Sequence, residues 1–174
     1  MPTNPQDMQR CIGCGSLLPA STGPVHAYMA SSPGCYEAFN TLIAAEFSAP
    51  WLMQIHRLTV DTWAVQHPGS DNDRRAIQSV GLHLARLYVQ LTAPRPPRET
   101  NAVMLDFARH KKTLIPLTAP ERFSITVDQV APFAGGDQHI AKVTEWAEAT
   151  WQDWSAWHDY IRGWIRTHSV FDLV

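Results

Sequence analysis

The sequence has few charged residues, few cysteines and no long apolar run. Of its 174 residues only 17% are charged, the net charge is −2, and basic residues form no long run. A basic patch is the usual footprint of a nucleic-acid-binding domain, so we expect no nucleic-acid partner. No segment approaches the roughly 18 apolar residues that span a membrane, so we expect no membrane association.

The first ten residues, MPTNPQDMQR, are polar and contain two prolines. They lack the apolar core of a secretory signal peptide, which predicts a cytoplasmic protein. The three cysteines are an odd number, and a disulfide framework is not expected in a reducing compartment. Thiol chemistry or metal binding is the better interpretation of these cysteines.

The length predicts one domain over residues 1–174, mainly α, in which a helical bundle carries an irregular, knuckle-like zinc-binding loop at its N-terminal end. We expect five parts along the chain. They are a flexible tail (1–10), a metal-binding loop (11–36), a three-helix core (37–92), a connector with a short helix (93–136) and a long tryptophan-rich helix (137–168).

The segment Trp51–Gln66 is apolar around most of a helical wheel, which predicts a helix in the middle of the bundle. On its narrow polar strip, Arg57 and Asp61 are four residues apart, and we expect them to pair. The helix brings His56 into the core, and His67 follows its end, directly before the Pro68-Gly69 stop.

Residues 11–35 hold four of the nine glycines and three of the thirteen prolines, which argues against regular structure. An irregular segment of this length needs something to hold it in a compact domain. Cys11 and Cys14 form a CxxC pair among glycines, and Cys35 stands just before a helix predicted over residues 37–47. We expect the three thiolates to share one zinc ion. Redox chemistry through Cys11 and Cys14, or three inert buried thiols, are the alternatives.

Two histidines compete for the fourth ligand position, His26 and His67. If the helices 37–47 and 51–66 are antiparallel, Cys35 lies level with His67 and far from His56, because each residue advances a helix by about 1.5 Å. This favours His67, with His26 as the alternative. His67 could instead cap the preceding helix by bonding its last carbonyls.

The same comparison of helix levels places His56 opposite His83, which lies on a third helix predicted over residues 74–91. This pair could be a second metal site or the general acid and base of an enzyme. The alternative is two buried, hydrogen-bonded histidines without catalytic work. The tryptophan-rich helix could bury its face within the chain or against a second copy, so a homodimer stays open.

Four strings, CxxCG, GPxHxYxxSSPGC, HRLTVDxxxxQHPG and IQSVxxHL, occur between residues 11 and 92. Together they resemble an uncharacterised bacterial family known only as a domain of unknown function. The resemblance implies no activity, but it implies that seven motif residues act as a set: Cys11, Cys14, His26, Cys35, His56, His67 and His83.

Three hypotheses of function follow. The first is a zinc protein of unassigned activity whose metal is structural. The second is a metal-dependent, hydrolase-like enzyme that uses zinc together with His56 and His83. The third and weakest is a thiol redox protein acting through Cys11 and Cys14.

Overall fold

The computed structural model describes residues 7–172, and most of this part of the chain is helical. Its seven α-helices are α1 (Pro33–Ser48), α2 (His56–Val65), α3 (Arg74–Thr92), α4 (Pro97–His110), α5 (Val127–Val130), α6 (His139–Asp153) and α7 (His158–His168). The prediction of a mainly helical fold is therefore confirmed. No helix among the described residues is long and apolar enough to cross a membrane.

Helix α2 lies at the centre of the bundle. Eight of its ten residues are buried, and it packs against α1, α3 and α6. Helix α3 contacts α2, α4, α6 and α7. The core therefore surrounds these two helices, which is what a helix with apolar residues on nearly every side requires.

Helices α1 and α2 do not begin at the residues that the sequence predicted. Helix α1 begins at Pro33 rather than residue 37, because the Ser32 side chain caps it by accepting a hydrogen bond from the Cys35 amide at 3.3 Å and proline fits a first helical turn. Cys35 is thus inside the first turn, not before it. The predicted helix 51–66 is regular only from His56 onward, and Pro50–Leu52 form a separate 3₁₀ turn.

The predicted long helix 137–168 is wrong, because the structure has two helices there. Helix α6 ends at Asp153, a 3₁₀ turn follows at Ser155–Trp157, and α7 begins at His158. The His158 imidazole stacks on Trp151, with ring centroids 3.8 Å apart, and its Nε2 lies 2.7 Å from the Trp151 carbonyl oxygen. At the break the Trp151 carbonyl therefore accepts from the His158 side chain as well as from the Trp154 amide at 3.1 Å. The large tryptophans of α6 and α7 are buried within the chain.

The N-terminal part contains a short hairpin of β1 (Met8–Arg10) and β2 (Leu17–Pro19), paired antiparallel with Arg10 opposite Leu17. A flexible tail was predicted over residues 1–10. Its first six residues lie outside the described part of the chain, and Met8–Arg10 are a strand instead. Strand β2 also contacts α1, so the hairpin is docked on the bundle.

Candidate metal centre

Three cysteines and one histidine meet in the interior. The sulfur atoms of Cys11, Cys14 and Cys35 and a ring nitrogen of His67 all lie within 4.8 Å of one another. Cys11 is 2% exposed, Cys14 is 4% exposed, and Cys35 and His67 are fully buried. Among residues 7–172, this is the one group of three or more cysteine, histidine, aspartate or glutamate side chains whose ligand atoms lie close enough to hold a metal ion.

Three separate segments deliver the four side chains. The turn between β1 and β2 carries Cys11 and Cys14, and it is closed by backbone hydrogen bonds from Cys11 to the Ser16 carbonyl and from Gly15 to the Cys11 carbonyl. Cys35 comes from the first turn of α1, where the helix dipole favours a thiolate. His67 follows the end of α2, so the group joins the hairpin to both helices.

Glycines let the turn approach the helices closely. A Cβ atom on Gly13 would lie 2.1 Å from the Ala30 carbonyl oxygen and 2.7 Å from Cδ2 of His67. Gly15 adopts a φ of +79°, a left-handed backbone conformation that residues other than glycine rarely adopt. The backbone of this turn therefore requires the two glycines, just as the metal group requires the two cysteines.

The His67 ring is oriented for ligation through Nε2. Its Nδ1 lies 2.6 Å from the Trp63 carbonyl oxygen and donates to it, and its Nε2 lies 3.1 Å from the Cys35 sulfur. Metal-bound histidines are commonly held in this way, with the second nitrogen donating to a carbonyl. His67 thus satisfies the carbonyl at the end of α2 with one nitrogen and faces the sulfurs with the other.

The donors perturb one another strongly. The pKa of Cys11 is held far below that of an ordinary thiol, mainly by a hydrogen bond with Cys14 and secondly by one with Cys35. The pKa of Cys35 is raised instead, mainly by its hydrogen bond with Cys11 and secondly by that with Cys14. Burial lowers the pKa of His67, but hydrogen bonds to Cys11 and Cys14 raise it overall to about 9. A metal bound here would displace the shared protons.

The donor set fits a tetrahedral ion. At a zinc–sulfur distance of about 2.3 Å, two sulfurs of a tetrahedral site are roughly 3.8 Å apart. The sulfurs of Cys14 and Cys35 are 3.7 Å apart. In addition, the Ser32 amide donates to the Cys11 sulfur at 3.4 Å, an arrangement that stabilises negative charge on sulfur.

The other predicted site residues lie outside this group. The His26 ring is half-buried and stands edge-on to Tyr28, with centroids 4.6 Å apart. The expected pairing of His56 with His83 does not describe the structure, since each imidazole bonds its own carboxylate. His56 Nδ1 lies 2.7 Å from Glu46, and His83 Nδ1 lies 2.6 Å from Asp61.

The predicted pair of Arg57 and Asp61 is wrong. Arg57 donates to Asn101 instead, and Asp61 accepts two hydrogen bonds of 2.7 Å from Arg86. His139 was also missed, and its Nε2 lies 3.1 Å from the same Glu46 carboxylate that binds His56. Neither Arg86 nor His139 stands near its partner in the sequence, so local spacing carried no signal for either contact.

These features define a class of protein: a helical bundle with a buried group of three cysteines and one histidine that could hold a metal ion. The chain belongs to the Family of unknown function (DUF5946), which it matches over residues 9–155. The expected membership of a family of unknown function is thereby confirmed. No curated protein and no solved structure matches the chain.

Proposed function

We propose that this chain is a cytoplasmic zinc protein in which the metal is structural. Zinc bound by Cys11, Cys14, Cys35 and His67 would fasten the N-terminal hairpin and the loop after it to α1 and α2. The observation that carries this proposal is the burial of all four donors, at most 4% exposed, around one point. A group of four buried protein donors favours a closed structural site, whereas catalytic zinc sites keep a position open for water.

The choice of zinc follows from the donors. Tetrahedral sites rich in thiolate select zinc or iron–sulfur clusters, and three thiolates with one imidazole are a common structural zinc set. The first test is elemental analysis of the purified full-length protein, for which we expect one zinc per chain. X-ray absorption should report three sulfurs and one nitrogen around the metal. A coordination shell rich in oxygen would overturn the proposed ligand set.

The histidine ligand is tested with a matched pair of variants. His67→Ala should lose most of the bound zinc, because the fourth donor is removed. His26→Ala removes the same side chain outside the group and should retain one zinc per chain. The opposite pattern would make His26 the ligand. Cys35→Ser should lose zinc and lower the melting temperature.

The two rival functions predict other results. A metal-dependent enzyme would retain a water ligand in the X-ray absorption spectrum, and its zinc would be reached from the cavity of about 580 Å³ that Cys11 and Cys14 line. A redox protein would carry no metal and would form a Cys11–Cys14 disulfide that dithiothreitol reverses, visible as a loss of two hydrogens by mass spectrometry. Burial of the four donors favours the structural site over both.

A further inference from the structure

A second site with built-in polar chemistry lies away from the cysteines, between α3 and α4. It is a cavity of about 410 Å³, whose polar wall includes Tyr28, Arg75, Ser79, His83 and Lys111. Cavities of roughly 300–1,000 Å³ are the size range that binds small organic molecules. None of the four proposed zinc ligands lines it.

The His83 imidazole in this wall is held by a buried carboxylate. Asp61 is fully buried and accepts hydrogen bonds from Arg86, from Gln90 at 2.6 Å and from His83 Nδ1 at 2.6 Å. Because a carboxylate that accepts from a guanidinium is ionised, Nδ1 of His83 is the donor in that contact. Nε2 of His83 has no hydrogen-bond partner among residues 7–172 and is the nitrogen left for a ligand.

The cavity is electropositive. Arg75 and Lys111 line it and form no ion pair within the described residues. The charge of Arg86, which also lines it, is balanced by Asp61. No aspartate or glutamate is among the lining residues. A recess with one sign of charge concentrates ligands of the opposite sign. The Arg75 guanidinium lies over the Tyr28 ring at 5.2 Å but has no carboxylate partner among the described residues, so Arg75 and Lys111 favour an anion.

Two further features indicate an organic ligand with hydrogen-bonding oxygens. Ser79 lines the cavity, is 8% exposed, and its hydroxyl lacks a hydrogen-bond partner in the described part of the chain. Buried hydroxyls are normally paired. The apolar wall of the cavity consists of Leu82, Met104 and Ala108, which would face the carbon part of such a ligand.

We propose that this cavity binds a small organic phosphate monoester. Arg75 and Lys111 pair with its two negative charges. His83 takes part as the imidazolium, which donates from Nδ1 to Asp61 and from Nε2 to a phosphate oxygen, and the apolar wall covers the organic group. A dianion matches these cations better than a monocarboxylate does. This site is independent of the zinc proposal, since it shares no residue with the metal group.

The test is a titration of the full-length, metal-loaded protein with phenyl phosphate, followed by NMR of the histidine imidazoles. We expect saturable binding, with a shift of the His83 Nε2 resonance. Inorganic phosphate should bind about tenfold more weakly, because it leaves the apolar wall uncovered. Benzoate, a monoanion of similar shape, should also bind more weakly. Equal binding of benzoate, or no shift at His83, would overturn the proposal.

Matched charge variants distinguish binding in the cavity from general electrostatic attraction of the ligand to the protein surface. Arg75→Ala and Lys111→Ala should each weaken phenyl phosphate binding about tenfold or more, the usual effect of losing a charged hydrogen bond. Lys112→Ala removes the same charge from the next residue, which does not line the cavity, and should bind as the wild type does. Equal losses in the Lys111 and Lys112 variants would contradict the assignment. Melting temperatures check that each variant is folded.

Discussion

At the scale of single residues, Gly13 is the most constrained position in the cysteine turn. A methyl group there would meet the Ala30 carbonyl and the His67 ring at 2.1 and 2.7 Å, so the turn would have to move away from the helix end. We predict that Gly13→Ala loses zinc and lowers the melting temperature. Elemental analysis and thermal denaturation measure both.

Gly163→Ala is the matched control for that prediction. Gly163 lies inside α7, and a Cβ added to it would meet nothing within 4 Å. Because alanine is the better helix former by roughly 0.5–1 kcal/mol, this variant should be slightly more stable and keep its zinc. If both variants behaved alike, the tight approach of Gly13 to His67 would not matter for the site.

Residue spacing predicted some contacts and missed others. The comparison of helix levels predicted that Cys35 lies close to His67, and the two residues are in contact in the structure. The prediction was possible because a short connection between two antiparallel helices leaves little freedom in their relative heights. The i,i+4 spacing of Arg57 and Asp61 was misleading. Such a pair is worth only about 0.2–0.5 kcal/mol, and the bidentate contact of Asp61 with Arg86 from another helix outweighs it.

At the scale of helices, Asp61 joins α2 to α3 more firmly than any exposed ion pair could. It is fully buried and accepts from Arg86, His83 and Gln90. We predict that Asp61→Asn destabilises the fold by about 3–5 kcal/mol, because it leaves the buried Arg86 cation uncompensated. Urea denaturation measures the loss. Zinc content should be unchanged in the folded fraction.

Asp159→Asn provides the comparison within the same chain. Asp159 is fully exposed and lies 3.6 Å from Arg162 one helical turn away, a type of contact that solvent screens. The urea midpoint of this variant should equal that of the wild type. A small effect of Asp61→Asn, comparable to this control, would show that the α2–α3 contact rests on apolar packing alone.

Helix interiors could be predicted from the sequence better than their ends. The apolar periodicity of α3 gave its range closely, since Asp73 caps its first turn and Pro94 follows its end. The same periodicity runs unbroken through α6 and α7, and it therefore concealed the break at Ser155–Trp157. At that break the His158 side chain bonds the Trp151 carbonyl, a contact that no propensity scale contains.

At the scale of the whole molecule, the N-terminal hairpin has little apolar core of its own. Its strands have three residues each, and two-stranded hairpins are at best marginally stable alone. The thiols of its turn join it to α1 and α2 around the proposed zinc. The sequence predicted this tethering from the glycine and proline content of residues 11–35. It could not predict the cavity beside His83, because that cavity depends on how α3 and α4 pack.

The most direct test of a structural zinc is hydrogen exchange before and after a chelator removes the metal, with the removal checked by elemental analysis. We predict that amides of residues 8–35 lose protection and that the melting temperature falls by about 10 °C or more, because zinc binding supplies folding free energy. Unchanged exchange in this segment and an unchanged melting temperature, in protein verified to be metal-free, would contradict the account.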